Sequence, residues 1–386
     1  MHGVPRLRVA FVAPSLEILG GQAVQADRLL RAWRNDPDVD AWLVPVNPAF
    51  PEPVRFAKRM KYVRTVVNQA IYLPSLLSGL NRADVAHVFS ASYSSFLIAT
   101  LPAIMAARFL GRPVLLNYRS GEAPDHLRRS AIARAAIARV NTNVVPSRFL
   151  ADVFGGFGIR STIVPNIVDL DVFRFRDRNP LEPRLLSTRN FEPHYNVATT
   201  IRAFRLIQDR WPHSTLTLVG GGSQEPALRA LAVDLGLHRV TFAGRMRPTD
   251  IATAYADHDI YIQSPDIDNM PTSILEAFAS GLPVVSSEAG GIPAILVHGT
   301  HGLLAPVADH EALAAHVLRL LDQPDYARGL ARAAYSTCSA LTWRAVRQQW
   351  LSAYRSVAAH DPSPLTKRKD ESDPAIGRGA RPEPTR

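Results

Sequence analysis

The sequence is short of several things that define whole classes of protein. It has one cysteine, Cys338, in 386 residues. One thiol cannot build an intrachain disulfide framework or a cysteine-rich zinc or iron–sulfur site. It has four lysines, Lys58, Lys61, Lys367 and Lys369, so none lies between 70 and 366. That excludes a P-loop lysine in this span and a lysine Schiff base with pyridoxal phosphate in the second half. Long apolar runs are missing too. The longest stretch without Asp, Glu, Lys or Arg is Val85–Ala107, and it holds His87, four serines and Pro102. It reads as a strand, a polar turn and a helix, not as a membrane span. The N-terminus, MHGVPRLRVAFVAP, has no long apolar core and no small-residue cleavage site. The expected location is cytoplasmic.

What is present fits an ordinary globular chain, 47% hydrophobic and 20% charged. At ~150 residues per domain, two domains are expected. The net charge of +10 is uneven. Residues 1–175 carry 21 basic and 12 acidic groups, and residues 176–360 carry 17 of each. A solvated Arg-rich surface accounts for the excess, and so does a first half that faces an anionic membrane or lipid phosphate. No aromatic–basic recognition module appears, so no nucleic-acid partner is expected.

Both halves alternate strand and helix, which predicts parallel sheets covered by helices. In the first half, strands are expected at Leu7–Ala13, Ala41–Val46, Val85–Phe89, Val114–Asn117, Asn143–Val145 and Thr162–Val164. Helices are expected at Ala23–Trp33, Phe96–Leu110 and Ala131–Arg139. The second half restarts with a strand at Arg184–Ser187, after a boundary near Asp171–Pro183 that is rich in Asp, Arg and Pro. Segment 54–77 mixes Arg55, Lys58, Arg59, Lys61 and Arg64 with Phe56, Met60, Tyr62 and Val63. This suits a helix lying on an anionic membrane, or one with its apolar side on the core. The Pro-rich tail from Asp361, with charges of both signs, is expected to be disordered.

Two doubly wound halves place a ligand between them, at the C-terminal ends of the strands. Four local signals fall there. Gly20 and Gly21 lie between the first strand and first helix, where glycine lets backbone approach a phosphate, although any turn can use such a pair. Gly220-Gly221-Gly222 follows a strand and permits either a tight turn or a close nucleotide. In DIDNMPTSILEAFASG (Asp266–Gly281), Ser273 and Glu276 have the spacing of a capping box. Glu276 could equally accept from a ribose diol while the helix start near Thr272 faces phosphate. Asp266-Ile267-Asp268 also has the spacing of a metal-binding pair, a pattern common in loops. Arg189 directly follows the Arg184–Ser187 strand, where a guanidinium could grip a diphosphate.

These residues resemble the family 4 retaining glycosyltransferases, which have the GT-B fold. The likeness runs over roughly 7–358. It rests on Gly20-Gly21, VPNIVD (Val164–Asp169), STRNFEPHYNVATTIRAF (Ser187–Phe204), LTLVGGG (Leu216–Gly222) and VTFAGRM (Val240–Met246). It is strongest in DNMPTSILEAFASGLPVVSSEAGGIP (Asp268–Pro293), followed by HGLLAP (His301–Pro306). The resemblance implies two Rossmann-like domains facing a central cleft. Residues 1–175 would hold the acceptor and 176–345 the sugar nucleotide, with 346–360 a helix returning to the first domain. It implies an acidic pair with seven residues between its members, Asp268 and Glu276 by alignment of the motif, with Glu276 on the ribose. Asp268 stands where the family has Glu. Arg189 matches the diphosphate arginine. The family's lysine falls around His194–Tyr195, so His194 or backbone N–H groups would act in its place. Arg119 falls near the family's cleft histidine, and Arg245 near the nucleobase. Gly20, Gly21, Gly221, Asn269, Met270, Thr272 and Ser273 complete the implied substrate-binding set.

The implied activity is sugar transfer from a nucleoside diphosphate sugar to an acceptor hydroxyl with retention of configuration, in polysaccharide or glycolipid assembly. The donor is a substrate, and no cofactor or metal is required. The partners implied are a nucleotide sugar and a saccharide or lipid-linked acceptor, with an anionic membrane surface met through 54–77 at the inner face. The Asp at 268 and the missing lysine leave an alternative, a catalytically degenerate GT-B binding or scaffolding protein.

Overall fold

The computed structural model describes residues 6–17, 20–53, 56, 60–247 and 249–359, without the Lys61 side chain. The basic residues Arg55, Lys58 and Arg59 and the tail from Asp361 lie outside the described residues.

The chain forms two six-stranded parallel sheets. The first contains β1 (Leu7–Ala13), β2 (Val39–Pro45), β3 (Val85–Ser90), β4 (Val114–Tyr118), β5 (Thr142–Val145) and β6 (Thr162–Ile163). The second contains β7 (Arg184–Ser187), β8 (Thr215–Val219), β9 (Val240–Gly244), β10 (Ile260–Gln263), β11 (Val284–Ser287) and β12 (Leu303–Ala305). Their spatial orders are β2-β1-β3-β4-β5-β6 and β12-β11-β10-β7-β8-β9. Helices cover both faces, so the inner strands read as unbroken apolar runs instead of alternating. Residues Val9–Ala13 are wholly buried, as is every residue of β3. In each sheet the chain winds outward in two directions, from between β1 and β3 in the first and from between β7 and β10 in the second. Loops diverge at those points and leave a crevice at the carboxyl ends of the strands.

The predicted strands stand within one or two residues of the observed ones. The helices show more differences. The expected Phe96–Leu110 helix contains a wide turn at Phe96–Thr100 before it continues as Leu101–Phe109. Pro102 has no N–H, so the Ile98 carbonyl loses its normal donor. Gln69 Nε2, from the neighbouring Lys61–Asn81 helix, donates to that carbonyl at 3.0 Å. Helices at Ala123–Arg129 and Arg148–Gly156 escaped the sequence reading because two turns give too little periodicity.

The Lys61–Asn81 helix is apolar on two sides. It buries Tyr72, Leu76 and Leu80 in the first-domain core. It also exposes Tyr62, Val63, Val66, Leu73 and Leu77 to solvent. Among the described residues, no helix is long and apolar enough to cross a membrane.

The last helix, Trp343–Ala359, leaves the second sheet and packs on the first. Val346, Trp350, Leu351, Tyr354 and Val357 join Val9, Phe11, Trp33, Val85 and Leu115 in one core cluster. Arg347 pairs with Asp36 at 2.8 Å and Asp38 at 2.6 Å, which fixes the helix in register. The chain therefore passes between the domains twice, and the two passages meet where Val168 N–H donates to the Leu341 carbonyl at 2.9 Å. Beside the first passage, buried Arg178 donates to the carbonyls of His258, Arg176, Ser280 and Tyr255. Burial pushes its guanidinium down to about 9. Cys338 is buried at the second passage, and burial pushes its thiol up to about 12, so it is not a reactive nucleophile.

Candidate active site

A cleft of about 300 Å³ opens between the carboxyl ends of the two sheets. It collects loops from both domains, and nearly all the residues singled out from the sequence line it.

Arg189 leaves the end of β7, at the point where the winding of the second sheet reverses. Its Nη2 donates to Asp268 Oδ2 at 2.5 Å and its Nη1 to Ser273 Oγ at 3.1 Å. The guanidinium also stacks on Tyr195, 4.1 Å from the ring centroid. Burial works against this charge, but Asp268 outweighs it and raises the Arg189 pKa. The guanidinium is therefore permanently cationic and faces the cleft with its Nε unpartnered. Glycine keeps this corner open. At Gly220, φ is +159° and a Cβ would sit 2.2 Å from the Arg189 carbonyl oxygen.

Asp268 is fixed through its backbone as well. The Gly291 N–H donates to its carbonyl at 3.1 Å. Gly290 has φ +53°, and a Cβ there would lie 2.1 Å from that same carbonyl oxygen. The two glycines of EAGG are thus a seat for the Asp268 loop. Asp266 turns away and accepts from Asn196 Nδ2 at 2.8 Å, so the two acids of the DID triplet have separate partners. The His194 carbonyl accepts from the Asp266 N–H at 2.9 Å, which makes His194 a backbone support for this loop.

The capping-box alternative for Ser273 and Glu276 does not hold. The Thr272–Ser280 helix begins after Pro271 with no side-chain cap. Ser273 Oγ instead donates to Gln263 Oε1 at 3.2 Å. Glu276, nearly buried, pairs with Arg28 across the domain boundary at 2.5 Å. Arg28 stands two turns into the Gly21–Ala32 helix and also lies 5.4 Å from the Phe173 ring centroid. A Gly at 21 and an Arg at 28 share a helix face, which turns Arg28 to the same side as the Gly21 turn.

Further contacts join the two walls. Asn166 Nδ2 donates to the Met270 carbonyl at 2.7 Å. Ser147 Oγ, which caps the Arg148–Gly156 helix by accepting from Leu150 N–H, also donates to Asn269 Oδ1. Gly121 packs against the Asp268 backbone, where a Cβ would meet the carbonyl carbon at 2.9 Å. Arg28, Ser147 and Asn166 were not anticipated, because interdomain contacts leave no local pattern in a sequence.

Gly20, Gly21, Arg119, His194, Arg245, Asn269, Met270, Thr272 and Ser273 line the cleft with Arg189, Asp268 and Glu276. Gly221 is one step removed. Gly220 lines the cleft in its place, while a Cβ on Gly221 would meet Arg245 Nε at 3.2 Å.

Residues 182–323 match the family model described as Glycosyl transferases group 1. That segment, most of the second domain, is similar to the group 1 glycosyltransferases, and the two domains together have the GT-B fold. It is 31% identical over 162 residues to the amylovoran biosynthesis glycosyltransferase AmsK of Erwinia amylovora, a match covering 40% of each chain. It is 27% identical over 229 residues to the phosphatidyl-myo-inositol mannosyltransferase of Mycolicibacterium smegmatis, covering 58% of each. The matched region thus spans about half the length of these curated relatives. In fold, it superposes on Anabaena Alr3699/HepE, solved with UDP and glucose, with a TM-score of 0.71 at 18% identity. That superposition covers 91% of this chain and 100% of the other. The matched region of the group 1 family includes Arg189, Asp268 and Glu276, while Gly20, Gly21, Arg28 and Arg119 stand on the first-domain wall that faces it.

Proposed function

We propose that the protein transfers a glycosyl group from a nucleoside diphosphate sugar to an acceptor hydroxyl, with retention of configuration, in the assembly of a polysaccharide or glycolipid. The observation that carries this reading is the convergence of Arg189 and Glu276 from the second domain, opposite the Gly20–Gly21 turn of the first, in one cleft. AmsK is named for polysaccharide biosynthesis, the mannosyltransferase for a phosphatidylinositol, and HepE is solved with UDP and glucose. Each supports one part of the proposal.

In this reading Glu276 accepts hydrogen bonds from the ribose diol. Its Oε1 accepts from Arg28, and the carboxylate has further lone pairs with which to accept. The leaving group is a diphosphate, so negative charge grows there as the glycosidic bond breaks. Arg189, the N–H groups at Gly20 and Gly21 and the start of the Thr272–Ser280 helix are fixed donors around that position. Asp268 holds Arg189 in place, and its shorter side chain leaves room between the carboxylate and the donor sugar. The acceptor enters along the first domain. The exposed apolar stripe Tyr62–Leu77 and the positive first half suit a lipid-linked acceptor at an anionic membrane surface.

The test is thermal stabilisation by a panel of sugar nucleotides, with wild type beside Glu276→Ala. Ligand at 100 times its Kd stabilises by about 2.7 kcal/mol. A shift with one donor that disappears in Glu276→Ala is expected. A shift retained in the variant removes the ribose role, and no shift with any donor removes the donor-site reading.

A further inference from the structure

The charged groups of the cleft are mostly neutralised in pairs. Arg28 meets Glu276 and Arg189 meets Asp268. Arg119 has no acidic partner among the described residues. Its Nη1 donates to Asn117 Oδ1 at 3.2 Å, and its Nη2 is buried with no acceptor. The guanidinium carbon lies 5.7 Å from the Phe89 ring centroid. Glu122, three residues on, accepts from Ser120 Oγ at 3.5 Å instead. Burial pushes the Arg119 guanidinium down to about 9, with no carboxylate to hold it up. Arg119 is partly buried with its Nη2 enclosed, an uncompensated cation there costs stability, and a bound anion would offset that cost.

Arg119 is also aimed in advance. Asn117 Nδ2 donates to His87 Nε2 at 3.0 Å, and His87 Nδ1 then donates to the Tyr354 hydroxyl at 2.8 Å. The chain Tyr354–His87–Asn117 turns the Asn117 oxygen toward Arg119 and fixes one edge of the guanidinium, leaving the other free. Two residues further, Gly121 packs on the Asp268 backbone. Arg119 therefore stands on the first-domain wall, close to where that wall meets the acid motif of the second domain.

We propose that Arg119 receives a carboxylate or phosphate carried on the sugar side of one of the two substrates, separate from the donor diphosphate, and so selects an anionic saccharide. This rests on the donor-site reading above. A planar guanidinium with one free edge suits either anion, through paired charge-assisted hydrogen bonds. The anion belongs either to the transferred sugar, as a hexuronic acid, or to the acceptor.

Calorimetric titration of the full chain distinguishes these sources. UDP, GDP and ADP are titrated first. The diphosphate that binds is then compared as its hexose and its hexuronic acid conjugate. In the second arm, with that diphosphate saturating, glucose is compared with glucuronate and glucose 6-phosphate. The charged member is expected to bind at least tenfold more tightly in one arm, which identifies the source. In Arg119→Gln that ratio is expected to fall to about one, and Arg119→Lys to retain part of it. Equal binding of charged and neutral probes in both arms of wild type overturns the proposal, and needs no variant to fold. So does a ratio that survives in Arg119→Gln, or a variant that loses the diphosphate itself. Failure of all three diphosphates to bind wild type overturns the donor-site reading, and this proposal with it.

Discussion

Arg189 is held on several sides, by Asp268, Ser273 and the Tyr195 ring, before any ligand arrives. A donor fixed in this way loses little entropy when charge develops beside it. Arg189→Ala is expected to lower turnover by roughly 10²–10³, the usual effect of removing one such donor. It also leaves Asp268 as an unpaired, nearly buried carboxylate, and breaking a buried pair costs about 3–5 kcal/mol. Arg189→Lys keeps the charge and loses the fork, so it separates the two effects. Turnover measured beside melting temperature should show Lys close to wild type in stability and well below it in rate. Equal rates for Lys and wild type would remove the need for a planar, two-edged donor. Most of this residue-scale picture is legible in the sequence, because glycines, Arg189 and Glu276 fall at strand ends and helix starts. Arg28 and Arg119's isolation were not legible. Both depend on which side chains the other domain brings near.

At the scale of elements, β3 and the returning Trp343–Ala359 helix form one buried unit around His87. Burial, with a smaller contribution from Arg119, lowers the His87 pKa well below its usual value. The unfolded chain takes up that proton near pH 6.5 and the folded one does not. Stability from this group is complete above pH 6.5 and declines as pH falls, by up to about 1.36 kcal/mol per unit. Buried His126 and partly buried His258 and His316 are shifted the same way by burial and add to the slope. Melting temperatures from pH 7.5 to 5 should fall in wild type and fall less steeply in His87→Phe. Parallel curves would show that His87 is not part of the slope. Trp350, almost wholly buried in the same unit, is expected to cost about 3–5 kcal/mol when replaced by Ala, read from denaturant midpoints. A loss below about 1 kcal/mol would mean that the helix contributes little to the first domain. The strands of this unit were legible as apolar runs. The destination of the last helix was not, because amphipathic periodicity shows that a face is buried and not against which sheet.

Over the whole molecule, the sequence permitted two roles for segment 54–77, and the Lys61–Asn81 helix packs one face in the core and leaves a second apolar face exposed. Tyr72, Leu76 and Leu80 serve the core, while Tyr62 stays 82% exposed in line with Val66, Leu73 and Leu77. Phe109, at the end of the adjoining helix, is 84% exposed. An apolar stripe of this kind on a positive domain predicts salt-sensitive sedimentation with anionic vesicles and none with neutral ones. Val66→Glu with Leu77→Glu should abolish it without changing the melting temperature, since neither side chain packs in the core. Vesicle binding that persists in the double variant would move the contact elsewhere. The division into two sheets was legible from the restart of the strand pattern at Arg184, and the cleft followed from it.

The two passages between the domains touch at Val168 and Leu341, on the side of the molecule where the chain must turn back. A body joined to another at one point can swing in any direction. Two stretches of chain that are tied to each other act like the pin of a door and leave fewer directions of swing. Arg28 stands beside that pin, where its Nη1 donates to the Ile167 carbonyl at 3.4 Å, and its pairing with Glu276 braces the two domains there. A rotation about that pin would change the separation of the cleft walls in proportion to their distance from it.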